Sequence, residues 1–405
     1  MTFTSIGKSN GVPLGGLTGV DWQESADWRF RARRRADIVA SMHAHSVQTV
    51  PRRLAWLLPL ALLAACERPL QSASGQPAPV APTAAAPAVD EFQTMAVEAG
   101  RGLIGTRAPH LAFATLDGRT VTLGDETVRP VYLKFWATWC TTCLEQMDAF
   151  RADHARFGAR VDFIAVNTGV NDDPAAVAAY LREVVLPMPV AIDDGQLGAA
   201  FHLKVTPQHV VIGRDGIVRY MGHLGDERLQ GELQAAIDGG PAAAAPSVQS
   251  GPMPRTEPQA AEFAGTFLSV QGDEVHIDGP GAAAPRLVYF LSPWCEGYLA
   301  QSRPSVAQAC IDTRKALTRA SRRGVEVIGI ASGLSATADD VRAYLQRTGF
   351  TAPVVFDADG RLFRRFGVRS FPAVIPLDAV GRPSEPIDVR DIDAWGTPAR
   401  APPRS

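Results

Sequence analysis

Two stretches of the chain repeat one pattern of apolar and polar positions. In the first, VYLKFW (131–136) is a β-branched and aromatic run that leads into Ala-Thr-Trp139-Cys140; in the second, RLVYFL (286–291) leads into Ser-Pro-Trp294-Cys295. Short apolar runs bounded by turn residues read as buried strands. Each is followed by a longer mixed segment that reads as a helix, and then by another apolar strand, VDFIAVNTG (161–169) in the first stretch and VEVIGIASG (325–333) in the second. Helical spacing returns from Pro174 to Val185 and from Ala338 to Thr348. Each stretch then has a strand just after an X-Pro dipeptide, Thr206-Pro207 and Phe371-Pro372. The order β-α-β-α-β-β with parallel crossovers predicts an α/β fold of two tandem domains, each a central mixed sheet with helices on both faces.

Between these stretches the pattern disappears. QSASGQPAPVAPTAAAPAVD, a little after Cys66, and the Pro- and Ala-rich run from Asp238 to Ala261 have nothing to bury and read as connectors. The expected organisation is a leader over 1–65, a disordered tether over 66–99, a folded domain over 100–238 and a linker over 239–261. A second folded domain over 262–380 and a polar tail over 381–405 complete it. A chain of 405 residues suits two domains plus connectors. In the leader, Arg52 and Arg53 precede an apolar run from Leu54 to Ala65, shorter than the ~20 residues that span a bilayer, so it reads as a signal peptide. Leu63-Ala64-Ala65-Cys66 resembles a bacterial lipobox, which implies that Cys66 becomes a lipid-bearing N-terminus. Met42 would give a leader of ordinary length, and residues 1–41 read as an over-extended start.

Charge adds little: 40 basic against 42 acidic residues leave a net −2, with no basic field for nucleic acid. The five cysteines, Cys66, Cys140, Cys143, Cys295 and Cys310, say more. A Cys-x-x-Cys pair at a helix start can hold the first sulfur as an anion against the helix dipole, and the second cysteine lies one turn on, within reach of it. Cys140 is therefore the expected nucleophile and Cys143 the resolving residue. No second Cys- or His-rich cluster follows at zinc-site spacing, so neither a metal nor any other cofactor is expected.

Together, GTRAPHLAFATLDGRTVTL (105–123), FWATWC-x-x-C and Val205-Thr206-Pro207 make the chain resemble the thioredoxin superfamily, in its exported TlpA/ResA-like (redoxin) branch. The resemblance implies a membrane-tethered, periplasm-facing thiol-disulfide oxidoreductase acting on exported protein thiols and disulfides, as a reductant fed by a membrane electron donor. It also implies a cis bond at Thr206-Pro207, with Trp139, Thr206 and Pro207 forming the substrate-binding surface. Lys134 departs from the acid or asparagine of relatives; it either tunes the dithiol or carries its ammonium out to solvent. Gln208 replaces a glutamate found in some relatives, so no acid/base role is carried over.

The second domain has Cys295-Glu-Gly-Tyr298, without a resolving cysteine. Its segment from Cys295 to Val325 is longer than that from Cys140 to Val161, and the extra residues carry Cys310. On one unbroken helix Cys295 and Cys310 would lie about 22 Å apart; breaks at Gly297 and Pro304 would let the chain loop back, and a Cys295–Cys310 pair is expected. Two alternatives stay open: a non-enzymatic copper carrier or client-binding scaffold, and a thiol peroxidase. The peroxidase would need Pro-x-x-x-Thr-x-x-Cys, but Leu133 and Ala137 precede Cys140, and Val288 and Ser292 precede Cys295, where that motif has proline and threonine.

Overall fold

A computed structural model describes residues 90–239, 265–277, 286–378 and 381–395, all within one compact unit, Thr83–Ser405. The leader, Cys66 and most of the expected tether and linker lie outside the described residues.

The first domain begins earlier than expected. Helix α1 (Glu91–Ala99) lies inside the stretch read as a tether; Asp90 caps it, its carboxylate accepting the Gln93 N–H at 2.9 Å. Its Ala96 and Ala99 are buried, and the Gln93 side-chain oxygen accepts the N–H groups of His223 and Leu224 at 2.7 and 3.0 Å. Small apolar residues on one helix face and one polar anchor thus correct the domain start from 100 to about 90.

A hairpin of β1 (Leu111–Ala114) and β2 (Thr120–Leu123) precedes the sheet. Strand β3 (Val131–Trp136) is buried at every residue. Strand alternation sends Tyr132, Lys134 and Trp136 to one face and Val131, Leu133 and Phe135 to the other, so the two faces feed two different apolar clusters. Helices α2 (Thr141–Glu145) and α3 (Met147–Phe157) cross over to β4 (Asp162–Asn167), parallel to β3. Helix α4 (Pro174–Glu183), with proline in its first turn and Asp173 as its cap, leads to β5 (Val190–Ile192) and α5 (Gln196–Ala200). Strands β6 (Gln208–Ile212) and β7 (Val218–Gly222) return antiparallel on the other side, and α6 (Glu227–Asp238) closes the domain. The sheet order is β5-β4-β3-β6-β7.

The second domain repeats this frame. A short hairpin, β8 (Thr266–Leu268) and β9 (Glu274–His276), precedes β10 (Arg286–Leu291); α7 (Cys295–Ser302) and α8 (Pro304–Arg322) cross to β11 (Glu326–Ser332). Helix α9 (Ala338–Thr348), β12 (Val354–Asp357), α10 (Arg361–Arg365) and β13 (Ala373–Leu377) follow, and the sheet order is β12-β11-β10-β13. Two expectations need correction. Among the described residues this sheet has no closing strand after β13. The stretch read as a polar tail is also folded as far as residue 395: α11 (Val389–Ile392) buries Ile392 completely against the cluster that holds Leu317 and Tyr344, with Ile387, Val389 and Trp395 packed around it. These apolar residues, spaced among charges, explain the docking, and Arg319 of α8 pairs with Asp393 at 2.6 Å.

Candidate active site

The site starts where β3 ends. Beyond Trp136 the chain turns through Thr138, and the buried Asp172 of the β4–α4 loop holds the turn. One carboxylate oxygen accepts the Thr138 N–H at 2.7 Å and the Asn167 side-chain amide at 2.8 Å; the other accepts the Thr138 hydroxyl at 2.5 Å. A buried carboxylate is tolerated when its oxygens are satisfied in this way. The Trp139 indole N–H donates to the Val170 carbonyl at 2.7 Å, fixing the ring. Cys140 then stands at the N-cap of α2, disulfide-bonded to Cys143 with a Cα separation of 5.2 Å. Its Sγ accepts the Cys143 N–H at 3.1 Å and lies 3.4 Å from the Thr206 carbonyl oxygen, beside the cis Thr206-Pro207 bond. Once the disulfide is reduced, that N–H and the helix start favour negative charge on the Cys140 sulfur.

Behind the dithiol lies a buried polar network. Lys134 does not reach solvent: it is 1 % exposed, its Nζ donates to the Gln146 carbonyl at 3.3 Å, and it stands 4.9 Å from the Phe150 ring centre. The reading in which its ammonium reaches solvent is thereby overturned, because strand alternation aims the side chain into the core beneath α3. Burial lowers its pKa to about 7, against the weaker pull of Asp153. His209, opposite Lys134 on β6, is held well below its ordinary value by burial first and by Lys134 second. Its Nε2 faces two acceptors, Gln146 Oε1 at 3.1 Å and the His223 carbonyl at 3.0 Å, so it carries the proton, and Nδ1 accepts from the Tyr132 hydroxyl at 2.7 Å. His223 Nδ1 donates to the Pro207 carbonyl at 2.7 Å, and burial lowers its pKa as well. The network runs from the proline loop to Lys134 through Gln146, the residue that joins α2 to α3.

Residues 104–221 match the family described as AhpC/TSA. The thiol-disulfide oxidoreductase ResA of Bacillus cereus is 30 % identical over 135 residues, which cover 32 % of this chain and 77 % of that protein. The chain belongs to the ResA-like thiol-disulfide oxidoreductases. The thiol:disulfide interchange protein DsbE of Pseudomonas fluorescens is 29 % identical over 147 residues, 34 % of this chain and 79 % of its own length. A solved thiol:disulfide interchange protein from Chlorobium tepidum is 20 % identical and covers 33 % of this chain and 96 % of its own, with a TM-score of 0.30.

The matched family residues stop at 221, short of the second domain. There Cys295 and Cys310 form a disulfide with a Cα separation of 6.4 Å. Gly297 does not break the helix as expected; it stays inside α7. The break falls at Arg303, where α7 ends and Pro304 opens α8, and the helix pair folds back so that Cys310 meets Cys295. Glu296 anchors α7 by accepting from Arg314 Nε at 2.6 Å and from the Tyr344 hydroxyl at 2.8 Å.

The structure therefore gathers Trp139, Cys140, Cys143, Thr206, Pro207 and Lys134 at one end of the first sheet, and places Cys295 and Cys310 in the same apolar cluster as the dithiol. Trp139, expected to face substrate, is buried and stacked on Trp294, with ring centres 5.0 Å apart. Sequence reasoning missed Asp172, Asn171, Trp294, Tyr298 and Arg303 as site residues. The repeated Trp-Cys dipeptide was the available signal for Trp294, and the resolving position was the signal for Tyr298; nothing local marked the others.

Proposed function

We propose that the protein is a membrane-tethered, periplasm-facing oxidoreductase that reduces disulfides of exported proteins through Cys140 and Cys143. The observation that carries this reading is the setting of Cys140, whose Sγ receives the Cys143 N–H at 3.1 Å and faces the Thr206 carbonyl at 3.4 Å. In the reduced protein the Cys140 thiolate attacks one sulfur of a client disulfide; that S–S bond breaks, and the departing thiolate takes up a proton. The Cys143 thiolate then attacks the Cys140 sulfur, the mixed disulfide breaks, and the client leaves with both electrons as a dithiol. The Cys140–Cys143 disulfide forms again and is reduced by a dithiol donor at the membrane. The Thr206 strand end offers backbone groups for an extended client segment.

The leader supports the location: Arg52, Arg53, the apolar run to Ala65 and Cys66 as lipid anchor, with a polar tether beyond. Dithiothreitol-driven reduction of insulin tests the chemistry, with Cys140→Ser expected at background and parent-like turnover in that variant overturning the reading. Membrane fractionation tests the anchor: the parent should sediment with membranes and Cys66→Ser should not, whereas identical partitioning of the two removes the lipid anchor.

A further inference from the structure

The face of the first domain that a client must reach is already occupied, and the occupant is the second domain. Cys140 is 1 % exposed and Cys143 0 %, although this end of the sheet carries the exchange chemistry. Trp294 stacks on Trp139 and Tyr298 meets the same ring edge-on at 6.4 Å. The Tyr298 hydroxyl accepts the N–H of Thr141, the residue after the nucleophile, at 2.8 Å. Arg303, at the end of α7, pairs with Asp172 at 3.1 Å and donates to the Thr138 hydroxyl, so it grips the turn that delivers Cys140.

Backbone pairing at the rim is reciprocal. Asn171 N–H donates to the Arg369 carbonyl at 2.9 Å and Phe371 N–H to the Asn171 side-chain oxygen at 2.8 Å; Ser335 N–H donates to the Lys204 carbonyl at 2.6 Å. Lys204 and Arg369 hold equivalent positions ahead of Pro207 and Pro372, and Asn171 and Ser335 are equivalent loop residues with φ of 51° and 52°. Each domain thus presents its proline-loop edge to the other, the mode in which an extended client segment would pair.

We propose that the second domain is a built-in cover for the dithiol, bound through α7 and the 333–335 loop to the surface that clients use, so that exchange requires its displacement. The proposal rests on the oxidoreductase reading for the identity of that surface. The residue that removed dithiol chemistry from the second domain, Tyr298 in the resolving position, is the one that reaches the helix carrying the dithiol of the first. Among the described residues the two surfaces are held by aromatic stacking, the Arg303–Asp172 ion pair and hydrogen bonds, with no disulfide between them, which makes the cover separable. Access to the sulfur then scales with the open fraction, which lowers the apparent rate with any client.

The test compares the full-length parent with Tyr298→Ala/Arg303→Gln after reduction. Iodoacetamide labelling of Cys140 is followed by peptide mapping, and insulin turnover is measured alongside. The expected result is Cys140 labelling faster by about tenfold or more in the double variant, with turnover raised in step. Equal labelling in parent and variant overturns the cover. Faster labelling without any insulin turnover keeps the cover and removes the oxidoreductase reading; Cys140-dependent turnover with unchanged labelling does the reverse. Arg303→Gln alone leaves the aromatic stack in place and guards against misfolding: it should label Cys140 faster than the parent, and an unchanged rate in this folded variant also counts against the cover.

Discussion

The two domains share a frame and differ at the end of one strand. In the first, β3 leads to Cys140-Thr-Thr-Cys143, and both sulfurs lie within one helical turn. In the second, β10 leads to Cys295-Glu-Gly-Tyr298, and the partner sulfur, Cys310, sits on the following helix. The positions behind the sulfurs diverge as well: Lys134 on β3 aligns with Tyr289 on β10, both buried, but only the lysine joins a hydrogen-bonded network around the proline loop. One domain is built for exchange between neighbouring thiols. The other carries a disulfide that joins two helices and presents an aromatic face. A common fold therefore says little about chemistry until the residues at the strand end are read.

The largest effect that would sharpen this contrast is on turnover. Cys143→Ser should stop the catalytic cycle after the first attack and accumulate mixed disulfides with clients at Cys140, visible as reductant-sensitive bands on non-reducing gels. Their absence from a folded variant would break the assignment of Cys143.

The next effect is on pH-dependent stability. Lys134 has a folded pKa of about 7 against its ordinary 10.5. Between these values the unfolded chain holds a proton that the folded one lacks, so the parent gains stability as pH rises through the window. Below about 7 the full cost of burying the charged amine is present. Lys134→Met should be more stable than the parent near pH 6, with the gap narrowing by up to about 1.4 kcal/mol per pH unit from about 7 to 10.5 in urea titrations. A constant gap would contradict the burial.

Removing the second disulfide with Cys295→Ala/Cys310→Ala should cost about 3 kcal/mol, as expected for a bridge closing a separation of 15 residues. That loss should fall on the second domain and leave the first dithiol functional. Asp172→Asn is the smallest change, about 2 kcal/mol, because it weakens charge-assisted bonds to Thr138 and the pair with Arg303. A urea midpoint equal to the parent's would show that Asp172 does not tie the two domains together.

Much of the frame was legible because it follows from local pattern. Apolar runs, interrupted only by Lys134 in β3 and opened by Arg286 in β10, marked these two strands; the helical spacing after Pro174 and Ala338 marked α4 and α9, and the Trp-Cys dipeptides marked the strand ends. The dithiol was legible for the same reason: its meaning depends on spacing within one turn. The α1 helix was hidden because it buries only alanines, whose signal is no stronger than that of the Ala-rich tether before it. Helix α11 was not anticipated because its apolar residues are diluted by charges, and the partners of Asp393 just beyond it, Arg319 and Arg323, lie far back in sequence. The covering of Cys140 was illegible in principle, since Trp294, Tyr298 and Arg303 acquire their role only when two folded surfaces meet.

The most direct test of the central claim places the two cysteine pairs side by side in dithiothreitol-driven insulin reduction by the full-length protein. The account predicts background rates for Cys140→Ser and at least the parent's rate for Cys295→Ala/Cys310→Ala. Parent-like turnover in Cys140→Ser, or loss of turnover in a folded Cys295→Ala/Cys310→Ala variant, would contradict it.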